Sequence, residues 1–120
     1  MMREIKFRAW IKDKKKMVYG KDATSCAYFT DSFKYRKNEV ELMQYTGLKD
    51  RNDKEIYEED LVAVADYANW EGLYKIIWDE KNLMYMLEDA FGDREKLCEF
   101  EEYLVKGNIY ENPELLEVSK

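Results

Sequence analysis

Glu58-Glu59-Asp60 is the acidic cluster best placed for chemistry in this chain, directly ahead of the apolar run Leu61 to Ala65. The sequence holds no histidine, so general acid–base work would fall to carboxylates, lysines or tyrosines, and no spacing among them singles out a pair. Carboxylates at the mouth of a barrel can hold a hard cation through oxygen ligands. Acids ahead of a strand more often occupy a solvated turn, and that is the expectation. Cys26 and Cys98 match neither metal-ligand nor thioredoxin spacing, and neither has a histidine to activate it. No glycine-rich phosphate-binding loop occurs. An enzyme is therefore the weakest function class, and neither cofactor nor metal is expected.

Binding is better supported. Ten tyrosines, five phenylalanines and three tryptophans exceed what a core of this size buries, and surface Tyr and Trp mark interfaces or base-stacking platforms. The expected binding surface joins Lys6, Arg8, Trp10 and Lys12 at the N-terminus, Lys49, Arg51 and Lys54 in a central loop, and Tyr67 with Trp70. Trp10 among cations suits cation–π contacts and single-stranded nucleic acid; the plainer alternative is that Trp10 packs beneath a neighbouring segment. Charge is polarised along the chain. Residues 1–21 carry eight Lys and Arg against two acids, and residues 22–120 carry twelve against twenty-four. A basic arm and an acidic body suggest docking on an acidic partner, another copy included, whereas a net charge of −6 disfavours nonspecific duplex binding.

The elements that must position these groups read mainly as strands. Ile5, Phe7, Ala9 and Ile11 alternate with Lys6, Arg8, Trp10 and Lys12, the period of a half-buried strand. Asp13 to Lys16 is a hairpin turn into Met17-Val18-Tyr19. Residues 21–41 are least legible and read as one or two short strands. Leu42 to Thr46 is extended, Gly47 offers a left-handed position, and Lys49 to Glu55 is a polar loop that should stay solvated. Leu42, Tyr45, Ile56, Tyr57, Leu61, Val62 and Val64 should centre the core. Residues 66–72 form a turn or loop; Leu73 to Trp78 and Leu83 to Leu87 form a hairpin about residues 79–82. Residues 94–104 fit either a short helix, with Leu97, Phe100, Tyr103 and Leu104 on one face, or a loop feeding a strand. A last strand, broken by Gly107, precedes a terminal turn with Asn112 as N-cap and Pro113 at the first helical position.

The run Leu42 to Val62 resembles the signature of the YopX-like family, small proteins encoded by bacteriophages and prophages of Gram-positive bacteria. Lys6-Phe7-Arg8-Ala9-Trp10 followed by Lys15-Lys16-Met17 is similar to the family's amino-terminal motif, and Gly107 to Leu116 to its carboxy-terminal one. Asp53 and Glu59 depart from the pattern, standing where glycine is usual. Aspartate tolerates a left-handed turn; Glu59 suggests a modified one. The resemblance implies origin and architecture, and no activity.

Together these features predict a single domain over residues 1–120: a mainly β protein with minor α, a small antiparallel SH3-like barrel or sandwich (residues 42–120) preceded by an N-terminal hairpin that could form a subdomain (residues 1–41). The expected function is that of a phage or prophage accessory protein that binds and self-associates without catalysis, with a host or phage protein as further partner. A single-stranded nucleic-acid binder using the basic hairpin is the rival, and a carboxylate-dependent enzyme the third. With no span of apolar residues long enough to cross a membrane and no signal peptide, the expected location is the cytoplasm of a bacterial host.

Overall fold

Alternating and β-branched runs separated by short polar turns pair into two antiparallel sheets. The computed structural model describes residues 4–21, 40–66, 69–97 and 102–115. Among them lie nine strands: β1 (Phe7–Ile11), β2 (Lys16–Tyr19), β3 (Val40–Lys49), β4 (Glu55–Tyr57), β5 (Asp60–Asp66), β6 (Asn69–Asp79), β7 (Met84–Glu88), β8 (Arg94–Lys96) and β9 (Glu102–Asn108). The first sheet runs β2-β1-β3-β4 and the second β8-β7-β6-β5-β9. Bulges shift the register of β5 against β6 between Val62 and Val64, and against β9 between Leu61 and Val62. Such bulges bend and twist a sheet. The result is a small β fold, a curled antiparallel half-barrel sheet with a second sheet.

The N-terminal hairpin is integral to the first sheet, because β1 pairs with β3 from Phe7 opposite Gln44 to Ile11 opposite Val40. A boundary at residue 41 would fall inside β3. The main core is Ile56, Val62, Val64, Ile76 and Leu87, flanked by Tyr74, Tyr85, Leu97, Tyr103 and Val105. Full burial of each aliphatic side chain there contributes about 1.5–3 kcal/mol. A smaller cluster, Ala9 and Val40 with Phe7 and Val18, holds the hairpin to β3.

Several expectations are corrected. Leu42 is 42% exposed instead of central, since along β3 it shares a face with Gln44 and opposes Met43 and Tyr45. The 66–72 loop is largely strand: β5 runs to Asp66 and β6 starts at Asn69. Of the two readings of residues 94–104, the strand one holds and no α-helix is seen among the described residues of that stretch: β8 pairs with β7 and β9 with β5. Gly107 lies inside β9, where a Cβ would collide with the Asn112 side chain. The expected strands within 22–39 lie outside the described residues.

The Lys49 to Glu55 loop is not freely solvated either. Asp50 is buried; its Oδ1 accepts the Asn52 and Lys54 amides at 2.8 and 2.9 Å, and its Oδ2 accepts the Val105 amide at 2.9 Å. The Arg51 amide donates to the Tyr103 carbonyl at 2.9 Å. One aspartate thus folds the loop and fastens it to β9, whose outer edge it covers.

Candidate functional site

The turn Tyr57 to Asp60 is where the chain passes from the first sheet, at β4, to the second, at β5. Asp60 is 1% exposed and Arg8 3%. Arg8 Nη2 donates to Asp60 Oδ1 at 2.8 Å and to the Glu58 carbonyl at 3.1 Å, while Asp60 Oδ2 accepts the Tyr57 amide at 2.8 Å. The guanidinium lies 4.8 Å from the centroid of the Tyr57 ring, and Tyr45 and Tyr19 pack on that ring at 5.5 and 5.9 Å. This is a sealed pair joining β1 to β5. Burial pushes the Asp60 carboxyl upward against the pull of Arg8, and burial also lifts the Tyr57 phenol to about 12.

Glu58 and Glu59 point elsewhere. Glu58 Oε1 accepts the Gln44 amide at 2.6 Å, the Glu59 amide donates to the Ile76 carbonyl at 2.8 Å, and the Glu59 carbonyl accepts the Ile109 amide at 3.2 Å. Both carboxyls are raised above the usual range by burial; the Gln44 amide opposes the shift at Glu58 and Lys75 opposes it at Glu59. The solvated turn expected of this cluster is instead a half-buried junction. Among the described residues no group of acidic or cysteine side chains is arranged to hold a metal ion.

The two glutamates line a cleft of about 610 Å³ between β3, β6 and the end of β7. Its acids are Glu41, Glu58, Glu59, Glu80 and Glu88, against only Lys75 and Arg94. Lys75 is held 3.9 Å from Glu59 and 3.7 Å from Glu88, and Arg94 lies 3.0 Å from Asp79 and 3.3 Å from Glu88. Leu42 and Trp78, 42% and 41% exposed, supply apolar surface, with Tyr85 set edge-on to Trp78 at 5.0 Å. Tyr110 forms another wall; burial raises its phenol to about 12. An anionic cleft with an apolar, aromatic wall suits a cation carried on an apolar stem.

The expected binding residues do not converge on this cleft. Trp10 is 9% exposed and stacks on Tyr110 at 5.7 Å, so it is no platform, and Arg8 is sealed against Asp60. Lys6 pairs with Glu55 and Glu4 and lies over the Tyr45 ring; Glu55 holds its ammonium above the ordinary lysine range. Lys12 pairs with Glu41 at 2.9 Å. Lys49, Arg51 and Lys54 are exposed on the docked loop, Lys49 3.9 Å from Asp53. Tyr67 lies outside the described residues, and of Trp70 only the backbone, in β6, is described. Sequence reasoning missed Leu42, Trp78, Glu80 and Glu88. Leu42 was detectable from its phase against Met43 and Tyr45; the others have no local signal.

Comparison with known proteins decides the family. The family model described as YopX protein matches residues 6–117. The chain belongs to the YopX protein family. A crystal structure of protein EF1440 from Enterococcus faecalis is similar, 27% identical with a TM-score of 0.63, covering 96% of this chain and 99% of that one. No curated protein matches the sequence. At the two positions where the resemblance leads one to expect glycine, the backbone is left-handed, as glycine would readily allow: φ is +67° at Asp53 and +70° at Glu59.

Proposed function

We propose that this protein acts by binding, without catalysis, and that the cleft between β3, β6 and β7 is the surface that receives a cationic protein segment. The observation that carries the reading is the lining itself: five glutamates opposed by Lys75 and Arg94, which are already engaged, beside half-exposed Leu42 and Trp78. A lysine or arginine side chain entering there meets carboxylates with its head and apolar surface with its stem. Self-association belongs to the same reading, and a host or phage protein is the other partner class. The single-stranded nucleic-acid alternative loses support, because Trp10 is buried and Lys6, Arg8 and Lys12 are each engaged by a carboxylate. The family resemblance further supports a phage or prophage origin; the succession of a strand led by Asp60, a hairpin and a final strand supports an SH3-like barrel for residues 56–110 by analogy; and the bacterial cytoplasm is the location proposed from the sequence.

Calorimetric titration with a synthetic lysine-rich peptide tests the binding surface. Binding should weaken as salt rises, since the Debye length shrinks from about 10 Å at 0.1 M to about 3 Å at 1 M, and should be lost in Glu80→Lys/Glu88→Lys. Binding of an oligothymidylate with no binding of the peptide would reverse the assignment.

A further inference from the structure

The turn between β1 and β2 is the feature best matched to this cleft. Residues 12–16 are all exposed, and they include Lys12, Lys14, Lys15 and Lys16 with a single acid, Asp13. Lys15 adopts a left-handed backbone at φ +50°. β1 pairs with both β2 and β3, so the tip closes a hairpin that is built into the first sheet. It also stands beside the cleft: Lys12, at the base of the tip, pairs with Glu41 on the cleft rim, and Trp10 stacks on Tyr110 in the cleft wall. Basic projection and acidic recess therefore coexist on one molecule.

We propose that the Lys14 to Lys16 tip of one copy docks in the Glu58, Glu59, Glu80 and Glu88 cleft of a second copy. The inference rests on the reading of the cleft as a receptor for cationic segments and names the segment. Charge complementarity selects this occupant: the tip concentrates lysines that the chain otherwise spreads thinly, and the cleft carries the surplus of glutamates. The stems of Lys14 and Lys16 would lie along Leu42 and Trp78 while their ammonium groups meet Glu80 and Glu88. The attraction is between exposed groups, so salt screens it. A surface of opposite charges that meets its own copy also fixes orientation, because tip on tip and cleft on cleft repel.

Sedimentation velocity with exchanged charges tests this. The full chain should self-associate at about 0.1 M salt and dissociate toward about 1 M, where screening has cut the reach of the charges about threefold. Lys14→Glu/Lys15→Glu/Lys16→Glu should be monomeric, as should Glu80→Lys/Glu88→Lys; an equimolar mixture of the two should restore assembly, since each reversed tip then meets a complementary cleft. Glu80→Lys alone serves if loss of Glu88 impairs folding, with circular dichroism melts confirming that each variant is folded. A monomeric parent chain at low salt, or folded variants that assemble as the parent does, would overturn the proposal. In that event, retained binding of the lysine-rich peptide would leave the cleft's role standing, and its absence would remove both.

Discussion

Two acidic turns, Asp50 to Lys54 and Tyr57 to Asp60, are built alike and behave oppositely. Each contains a non-glycine residue in the left-handed region, Asp53 at φ +67° and Glu59 at φ +70°, and each is organised by a buried aspartate that accepts backbone amides. At Asp50 burial works against the charge, but the amides of Val105, Lys54 and Asn52 outweigh it and hold the carboxyl below its ordinary range. At Asp60 burial outweighs Arg8 and the Tyr57 amide and moves the carboxyl upward. The difference is one of supply: three amides against one amide and a guanidinium that is itself buried. A dipole-rich loop tolerates a charge that a sheet junction must pair.

The largest test of that contrast is removal of each aspartate. Asp60→Ala strands Arg8 as a buried, unpaired cation and should cost about 3–5 kcal/mol in chemical denaturation. Asp50→Ala leaves no charge behind and should cost about 1–3 kcal/mol, the desolvation of orphaned amides. Equal losses at the two sites would break the comparison.

A smaller effect lies in pH. A lowered folded-state pKa contributes stability that is present above the unfolded pKa and lost as pH falls through the folded one, so Asp50 adds to the acid limb and Asp50→Asn should flatten it. Glu58, Glu59 and Asp60, with raised values, act in reverse: the folded state holds their protons longer, and their contribution declines as pH rises from the ordinary carboxylate range to the folded pKa. Glu59→Gln should therefore reduce the loss of stability on that rising side. Thermal melts from about pH 3 to about pH 8, a window that spans the carboxylate reference values, read both signs.

The smallest effect concerns the left-handed residues. A β-carbon in that region costs about 1–2 kcal/mol, and the extra chain entropy of glycine returns about 0.5–1. Glu59→Gly should stabilise the fold by about 0.5–1 kcal/mol, and Asp53→Gly by less because aspartate tolerates the conformation better. Destabilisation by Glu59→Gly would show that contacts of the Glu59 side chain matter more than its backbone.

Residues that signal through their neighbours in sequence were legible, and residues defined by distant partners were not. The alternation of Ile5 to Lys12 places β1, and the polar turn at 79–82 places the β6 and β7 hairpin, because both are local patterns. The face that Arg8 and Trp10 occupy depends on Asp60 and Tyr110, which lie far along the chain, so the same alternation suggested an exposed cationic platform. Leu97, Phe100, Tyr103 and Leu104 match helical spacing in the sequence, yet Tyr103 and Leu104 lie in β9, where pairing with β5 satisfies their backbones. Asp50 reads as another polar loop residue until Val105 is brought beside it. The cleft is assembled from β3, β6, β7 and the two sheet-crossing glutamates, so no single segment could have announced it.

The central claim is that the cleft, and not the N-terminal cation set, is the receiving surface. Amide chemical-shift mapping of the labelled protein with a lysine-rich peptide tests it most directly. Shifts should concentrate at Glu41 to Met43, Glu58 and Glu59, Lys75 to Trp78 and Glu88, and should fade with added salt. Shifts confined to Lys49 to Lys54, or to Lys6 to Lys12 on addition of an oligothymidylate with the peptide silent, would contradict the account.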